Sequence, residues 1–244
     1  MKIAIISDIH GNLPALNTVK EKVEDLSPDK IICLGDVVGY YPWPVECTRF
    51  VSKNCDIAIL GNHDQVVLAD DFEHKISWFN RYAELALRWS RTALLAPKFS
   101  KEVDFLRSLP ILENPIFDDI HMVFVHGTPE DAWEYLMYFP VARDQHLEAR
   151  MRRWLKDYKT KLVAIGHTHV PFIFRTKRGY VLNPGSVGQP RDGNPGASFA
   201  IVETNSQKLS VKLHRVNYDI EETCEGIKKE DLPEFLCERL HEGR

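Results

Sequence analysis

The sequence predicts an α/β fold, and three observations carry that reading. Residues 2–6 form a short apolar run rich in β-branched side chains, the pattern of a strand buried on both faces. Residues 13–26 then place Leu13, Leu16, Val19, Val23 and Leu26 at helical spacing. The alternation repeats, with a buried strand over 30–34, a short helix from Pro44 to about Lys53 and a third strand over 56–60. Strands and helices in such alternation cover a sheet on its faces, which is the α/β arrangement.

Residues 70–110 read as helical. Ile76, Phe79, Ala83, Ala86 and Leu87 fall on one stripe, and Ser100 is placed to cap a further helix that ends before Pro110. His121 to Val125 is another buried strand. Residues 143–158 read as a helix with Leu147, Met151, Leu155 and Tyr158 on one face. Its other face carries Arg150, Arg152, Arg153 and Lys156, either a solvated surface or a phosphate contact. From Lys161 the chain turns to short strands, at 161–165, 171–175, 179–182, 197–203 and 209–216. Two short helices around Pro233 close it, within 219–240. Without a repeat or a linker rich in Gly, Ser or Pro, one domain over 1–244 is expected, with helical insertions at about 65–110 and 129–160.

Composition narrows the class. At 244 residues the chain can bury a core without a disulfide framework. Its 44% hydrophobic and 27% charged residues match globular averages and exclude disordered, collagen-like and membrane classes. A formal charge of −4 offers no global attraction for nucleic acid or an anionic membrane. No stretch approaches the roughly 18 apolar residues of a membrane span. The N-terminal apolar run is too short for a signal-peptide core and is soon followed by Asp8. Cys33, Cys47, Cys55, Cys224 and Cys237 are odd in number, widely spaced and without a C-x-x-C pair, so a reduced, cytoplasmic setting is expected.

Five clusters carry the chemistry: Asp8-Ile9-His10, Gly35-Asp36, Gly61-Asn62-His63-Asp64, His126-Gly127 and Gly166-His167-Thr168-His169. Each follows or ends an apolar run, and ligands of open α/β sheets bind in loops beyond the carboxyl ends of strands. Imidazole together with carboxylate suits zinc, iron, manganese or nickel, whereas an all-oxygen set suits calcium or magnesium. The clusters hold no cysteine, which argues against a structural zinc finger. In an extended segment Asp-x-His and His-x-His present both side chains to one side, because strand side chains alternate. The glycines at 35, 61, 127 and 166 would allow unusual dihedrals and close backbone approach.

The order of these clusters resembles the calcineurin-like metallophosphoesterase superfamily, here as SDIHG at 7–11, GDVVG at 35–39, GNHD at 61–64, VHG at 125–127 and GHTH at 166–169. SDIHGNLPAL and NPGSVGQPRDG at 183–193 look like its smaller bacterial and archaeal phosphodiesterase-like branch. The resemblance implies a four-layer α-β-β-α sandwich of two mixed sheets flanked by helices. It also implies two divalent metal ions (Mn, Fe, Zn or Ni). Asp8, His10 and His169 would hold the first, Asn62, His126 and His167 the second, and Asp36 would bridge them. Two such cations lower the pKa of bound water and neutralise phosphoryl oxygens, so the implied reaction is in-line attack of hydroxide on phosphorus. His63 would face the leaving group as the catalytic proton or hydrogen-bond donor. Asp64 would orient a neighbour or cap a helix.

The segment after Asp36 departs from the protein Ser/Thr phosphatase pattern G-D-x-V-D-R-G, since Gly39, Tyr40 and Tyr41 stand where the further Asp, Arg and Gly are expected. Arg191 is the best replacement phosphate contact. Tyr40, with Tyr41 and Trp43, is a candidate wall of the substrate pocket. Trp78, Phe79, Tyr82 and Trp89 fit a core stripe. His74, His121, His146, His214 and His241 match no motif and read as structural or surface. Expected functions are hydrolysis of a small phosphoester or nucleotide, including dinucleoside polyphosphates, or a scaffold role on the same fold. A scaffold needs no intact ligand set. A nuclease reading lacks a basic groove.

Overall fold

The computed structural model describes residues 1–142, 144–205 and 208–244. Strand β1 (Lys2–Ile6) lies mid-sheet because both its faces are apolar. Ala4 and Ile6 meet helical side chains, and Ile3 and Ile5 meet the second sheet. Helix α1 (Leu13–Leu26) begins at Asn12, whose side chain accepts from the Ala15 N–H. Then follow β2 (Lys30–Cys33), α2 (Pro44–Asn54), β3 (Ile57–Ala58), α3 (Asn62–Leu68), α4 (Phe72–Ile76) and α5 (Arg81–Leu94). A 3-10 turn over Pro97–Phe99 leads to α6 (Ser100–Ser108), β4 (Leu112–Glu113), β5 (Ile116–Phe117), β6 (Ile120–Val125) and α7 (Gln145–Asp157). The chain ends with β7 (Leu162–Ala164), β8 (Phe172–Arg175), β9 (Tyr180–Asn183), β10 (Ala197–Asn205), β11 (Lys208–Val216), α8 (Ile220–Lys229) and α9 (Phe235–Glu242).

The first sheet runs β11-β10-β1-β2-β3 and the second β4-β6-β7-β9-β8, with β5 on β6. Both are mixed. β1, β2 and β3 are parallel, as are β6, β7 and β9, while β10 runs antiparallel to β1 and β8 to β9. Ile3, Ile5, Ile32 and Leu34 pack between the sheets against Met122, Phe124, Leu162 and Leu182. On the outer faces, α1 and α2 cover the first sheet through Leu16, Val19 and Val51, and α7 covers the second through Met151, Trp154 and Leu155. The expected α-β-β-α sandwich is thus the observed one.

Local expectations need correction. Ser100 is the first residue of α6 and makes no cap bond, because the preceding 3-10 turn puts Phe99 at the cap position. The stripe from Ile76 to Leu87 is divided between α4 and α5 by a break at Asn80, whose side chain accepts from the Tyr82 and Ala83 N–H groups. Trp78 and Tyr82 are exposed rather than core. Arg143, taken as the start of a helix, lies outside the described residues, and Asp144 caps α7. The three arginines of the basic face of α7 are paired locally. Arg150 pairs with Glu130 and Glu134, Arg152 with Glu148, and Arg153 with Glu130.

Cys224 and Cys237 form a disulfide, against the expectation of reduced thiols only. They stand 13 residues apart in sequence, but α8 and α9 pack together and bring their Cα atoms to 5.1 Å. No helix among the described residues is long and apolar enough to cross a membrane.

Candidate metal centre

The parallel strands of both sheets deliver their carboxyl-terminal loops to one place. The Asp8 N–H donates to Gly35 O, Gly166 N–H to His126 O, and Gly188 N–H to Asp8 O, at 2.8–3.0 Å. Ligand-type atoms then gather in three overlapping groups: Asp8, His10 and His169; Asp36, His126 and His167; and His10, Asp36 and His63. Within each group the atoms lie within 4.8 Å of one another. Asn62 joins through Oδ1, 3.2 Å from His126 Nε2. All eight sequence-predicted residues (the seven ligand candidates and His63) are brought together. One feature departs from the expected assignment: His63 shares a ligand-competent group with His10 and Asp36.

The segments are not extended. Asp8, His10, Asp36, His167 and His169 all have positive φ, between 53° and 70°. For residues with a Cβ this conformation costs about 1 kcal/mol or more each. Loop-to-loop bonds hold it, such as His10 N–H to Asp36 O at 2.8 Å and Gly11 N–H to Val37 O at 2.9 Å. Convergence therefore comes from tight left-handed bends rather than period-two alternation. Glycine matters most where those bends crowd. A Cβ on Gly39, at φ +148°, would lie 2.6 Å from His10 Nδ1 and 2.8 Å from His63 Nδ1. One on Gly61 would lie 2.1 Å from Asp36 Oδ1.

Hydrogen bonds at the outer ring nitrogens set the tautomers. His126 Nδ1 donates to the Leu34 carbonyl at 2.7 Å, which leaves Nε2 as the nitrogen turned inward. Nε2 faces Asp36 Oδ2 and Asn62 Oδ1, both at 3.2 Å, and without metal it keeps the second proton that Asp36 favours. His169 Nδ1 donates to the Gln189 carbonyl, which leaves Nε2 bare and 3.3 Å from Asp8 Oδ1 and 3.0 Å from His10 Nε2. His167 Nε2 donates to the Trp133 carbonyl at 3.2 Å, freeing Nδ1. Lone pairs pointed at lone pairs repel unless a proton or a cation stands between them. Imidazoles that spend one N–H on a carbonyl and aim the other nitrogen inward are the usual metal-ligand geometry. The donor set therefore fits divalent metal.

The electrostatics agree. Burial opposes ionisation of Asp36, yet His126, His63 and His10 hold its carboxyl well below the usual range. Asp8 is lowered too, burial being outweighed chiefly by His169. Burial opposes protonation of His126, but Asp36 and then Asp8 lift it to about 10. The carboxylates thus draw one positive charge into a dry site. The other imidazoles stay neutral. Burial takes His63 to about 4 and His167 to about 3, and burial with positive neighbours lowers His10 and His169. Asp64 touches neither candidate ligands nor His63 through its carboxylate. It accepts from Gly61 and Val38 N–H at 3.0 Å and closes the capping box of α3, and burial with Asp36 raises it to about 7.

These shifts fix an expected pH response. The four lowered imidazoles are depressed below the ~6.5 of an unfolded histidine, so unfolding takes up protons at acid pH. Their contribution is complete above pH 6.5 and is lost as pH falls toward 4, by up to about 1.4 kcal/mol per pH unit each. Asp64 opposes with one group against four. His126 loses its contribution only as pH rises from 6.5 toward 10. Chelator-treated protein should therefore melt at lower temperature at pH 5 than at pH 7, and equal Tm values would contradict neutral imidazoles.

His63 sits beside the cluster with its ring 4.6 Å from His10, 4.8 Å from Tyr40 and 5.1 Å from Phe79, and its Nδ1 has no hydrogen-bond partner among the described residues. Its backbone N–H donates to Asp36 Oδ1 at 2.8 Å. Tyr40 is buried against both histidines, so it does line the site. Tyr41 stands behind it, hydrogen-bonded to Gln189 at 2.8 Å, and Trp43 packs under Gly226. Arg191 links two aromatic residues beside the cluster, donating to Tyr40 Oη at 3.1 Å and Tyr135 Oη at 3.2 Å. Tyr135, whose ring is 5.0 Å from His167, was not legible, because no motif marks it. Gln189 lay unread inside a quoted motif. Phe79 lies beside His63, and Trp133 and Tyr135 lie beside His167.

A family model for the calcineurin-like phosphoesterase superfamily domain matches residues 1–207. The chain belongs to that superfamily. Membership supports metal-dependent phosphoester hydrolysis. A solved metallophosphoesterase from Sphaerobacter thermophilus is similar at TM-score 0.78 and 34% identity, over 100% of this chain and 99% of that one. A Methanocaldococcus jannaschii protein, described as uncharacterized protein MJ0912, is 36% identical over 99% of this chain and 98% of its own length. A symmetrical bis(5'-nucleosyl)-tetraphosphatase from Thioalkalivibrio sulfidiphilus is 30% identical over 56% of this chain and 48% of that protein.

Proposed function

We propose that this superfamily member hydrolyses small phosphoesters at a two-metal centre held by Asp8, His10, Asp36, Asn62, His126, His167 and His169. The observation that carries the reading is that His126 and His169 spend their outer ring nitrogens on carbonyls and aim the inner ones at two buried, ionised carboxylates. Bound there, divalent metal would supply the Lewis acidity that activates water and neutralises phosphoryl charge. Asp36, which shares ligand groups with His126 and His167 and with His10 and His63, would be the carboxylate shared by the two metals. The carbonyls of Leu34, Gln189 and Trp133 hold His126, His169 and His167 in the ligating tautomer. His63 donates a hydrogen bond to the leaving oxygen. Neutral at pH 7 in the free protein, it does so as a ring N–H, and a bound phosphate anion favours its protonated form, from which a proton can pass to the leaving oxygen. Arg191 and Tyr40 orient the substrate beside the cluster.

A scaffold role is disfavoured because a buried polar set of this size is costly to keep without metal. Within the enzymatic reading, similarity to the tetraphosphatases favours nucleotide substrates as a second, narrower possibility. The test is a screen of phosphodiesters, phosphomonoesters and dinucleotides with manganese, beside elemental analysis of the purified protein. Turnover of a p-nitrophenyl ester that is lost on chelation is expected. Full turnover in excess chelator would overturn the mechanism.

A further inference from the structure

Arg191 and Arg239 meet at one ring. Their guanidinium carbons lie 5.7 and 5.9 Å from the Tyr40 centroid, although one residue comes from the loop after β9 and the other from the last turn of α9. The hydrogen-bond partners of Arg191 are uncharged, namely Tyr40, Tyr135 and Gln189, while Arg239 donates to the main-chain oxygen of Arg244. Neither forms an ion pair among the described residues. Arg88, Arg150, Arg152, Arg153 and Arg215 all do. Two partly buried like charges side by side repel, and burial together with Arg191 disfavours the charge on Arg239. Phenols and amides satisfy N–H groups but remove no charge.

The Tyr40 ring also packs against His10 and His63, at 4.7 and 4.8 Å between ring centroids. The cationic pair thus shares one aromatic ring with the ligand cluster. A guanidinium fork matches phosphoryl oxygens in geometry as well as charge. We infer that Arg191 and Arg239 form an anion subsite that takes a second phosphoryl group, adjacent to the one held at the metal cluster. This rests on the phosphoesterase reading and deepens it. The substrate class becomes compounds with consecutive phosphoryl groups, such as nucleoside diphosphates and dinucleoside polyphosphates, rather than simple phosphomonoesters.

The test compares affinities for AMP and α,β-methylene-ADP, by calorimetric titration of the manganese-loaded protein. The methylene bridge blocks cleavage between the two phosphorus atoms, and chromatography of each mixture after titration checks that AMP is intact, so that the ratio reads binding. The wild type should bind the diphosphate analogue about tenfold tighter, the worth of a charge-assisted contact. Arg239→Gln and Arg191→Gln should each bring the ratio to about twofold or less, and Arg239→Lys should keep part of it. A wild-type ratio near one, or a ratio unchanged in both glutamine variants, would overturn the subsite. Should Arg239→Gln fail to unfold cooperatively, Arg191→Gln and Arg239→Lys give the same reading. Absence of p-nitrophenyl ester hydrolysis would count against the phosphoesterase reading alone, since the binding ratio still reports the arginine pair.

Discussion

Asp36→Asn should reduce bound metal from about two ions per chain to less than one and lower kcat/KM by on the order of 10³ or more. The physical reason is charge. Two divalent cations 4 Å apart repel by on the order of 15 kcal/mol at an effective dielectric near 20. A shared carboxylate offsets much of that repulsion, and an amide of the same shape does not. The local fold should persist, because asparagine Oδ1 can still accept the His63 N–H that Asp36 accepts at 2.8 Å. Elemental analysis and steady-state kinetics on the same preparation check the result. Full metal occupancy in Asp36→Asn would contradict the bridging role.

His63→Ala has the second largest expected effect. It should keep both metals and lower kcat by about 10²–10⁴, the share of a positioned proton or hydrogen-bond donor. The structure gives this experiment an edge, since His63 also lies within ligand distance of His10 and Asp36. Loss of one metal equivalent with the activity would make His63 a ligand instead. Retained metal with unchanged kcat would remove it from the reaction altogether.

What could be read from the chain depended on how local each signal was. β1 and α1 matched their expected bounds because continuous burial and helical spacing need no partner to be recognised. The third strand came out shorter, as Ile57–Ala58. Ile59 still donates to Cys33 O, but the Leu60 N–H turns to Pro110 O, a partner 50 residues away. Motif order identified the cluster members, since each motif is a few residues long. The backbone that joins them was misread: tertiary bonds between the Asp8–Gly11 and Asp36–Val37 loops impose bends that no alternation pattern encodes.

The remaining features arise only when distant segments dock. Tyr135 reaches His167 from a stretch with no motif, and Arg239 reaches Tyr40 from a helix beyond the region that carries the motifs. The Cys224–Cys237 bond needs the α8–α9 pairing before its spacing makes sense. His126 shows the same limit in electrostatic form. Its lift to about 10 is set by carboxylates on two other loops, and its own neighbours in sequence say nothing of it.

The central claim, that this cluster holds two metals about one carboxylate, is tested most directly by anomalous diffraction from crystals grown with manganese. The account predicts two peaks about 3.5–4 Å apart on either side of the Asp36 carboxylate. One would be ligated by Asp8, His10 and His169, the other by Asn62, His126 and His167. A map with no peak at Asp36, or with manganese only at sites elsewhere on the chain, would contradict it.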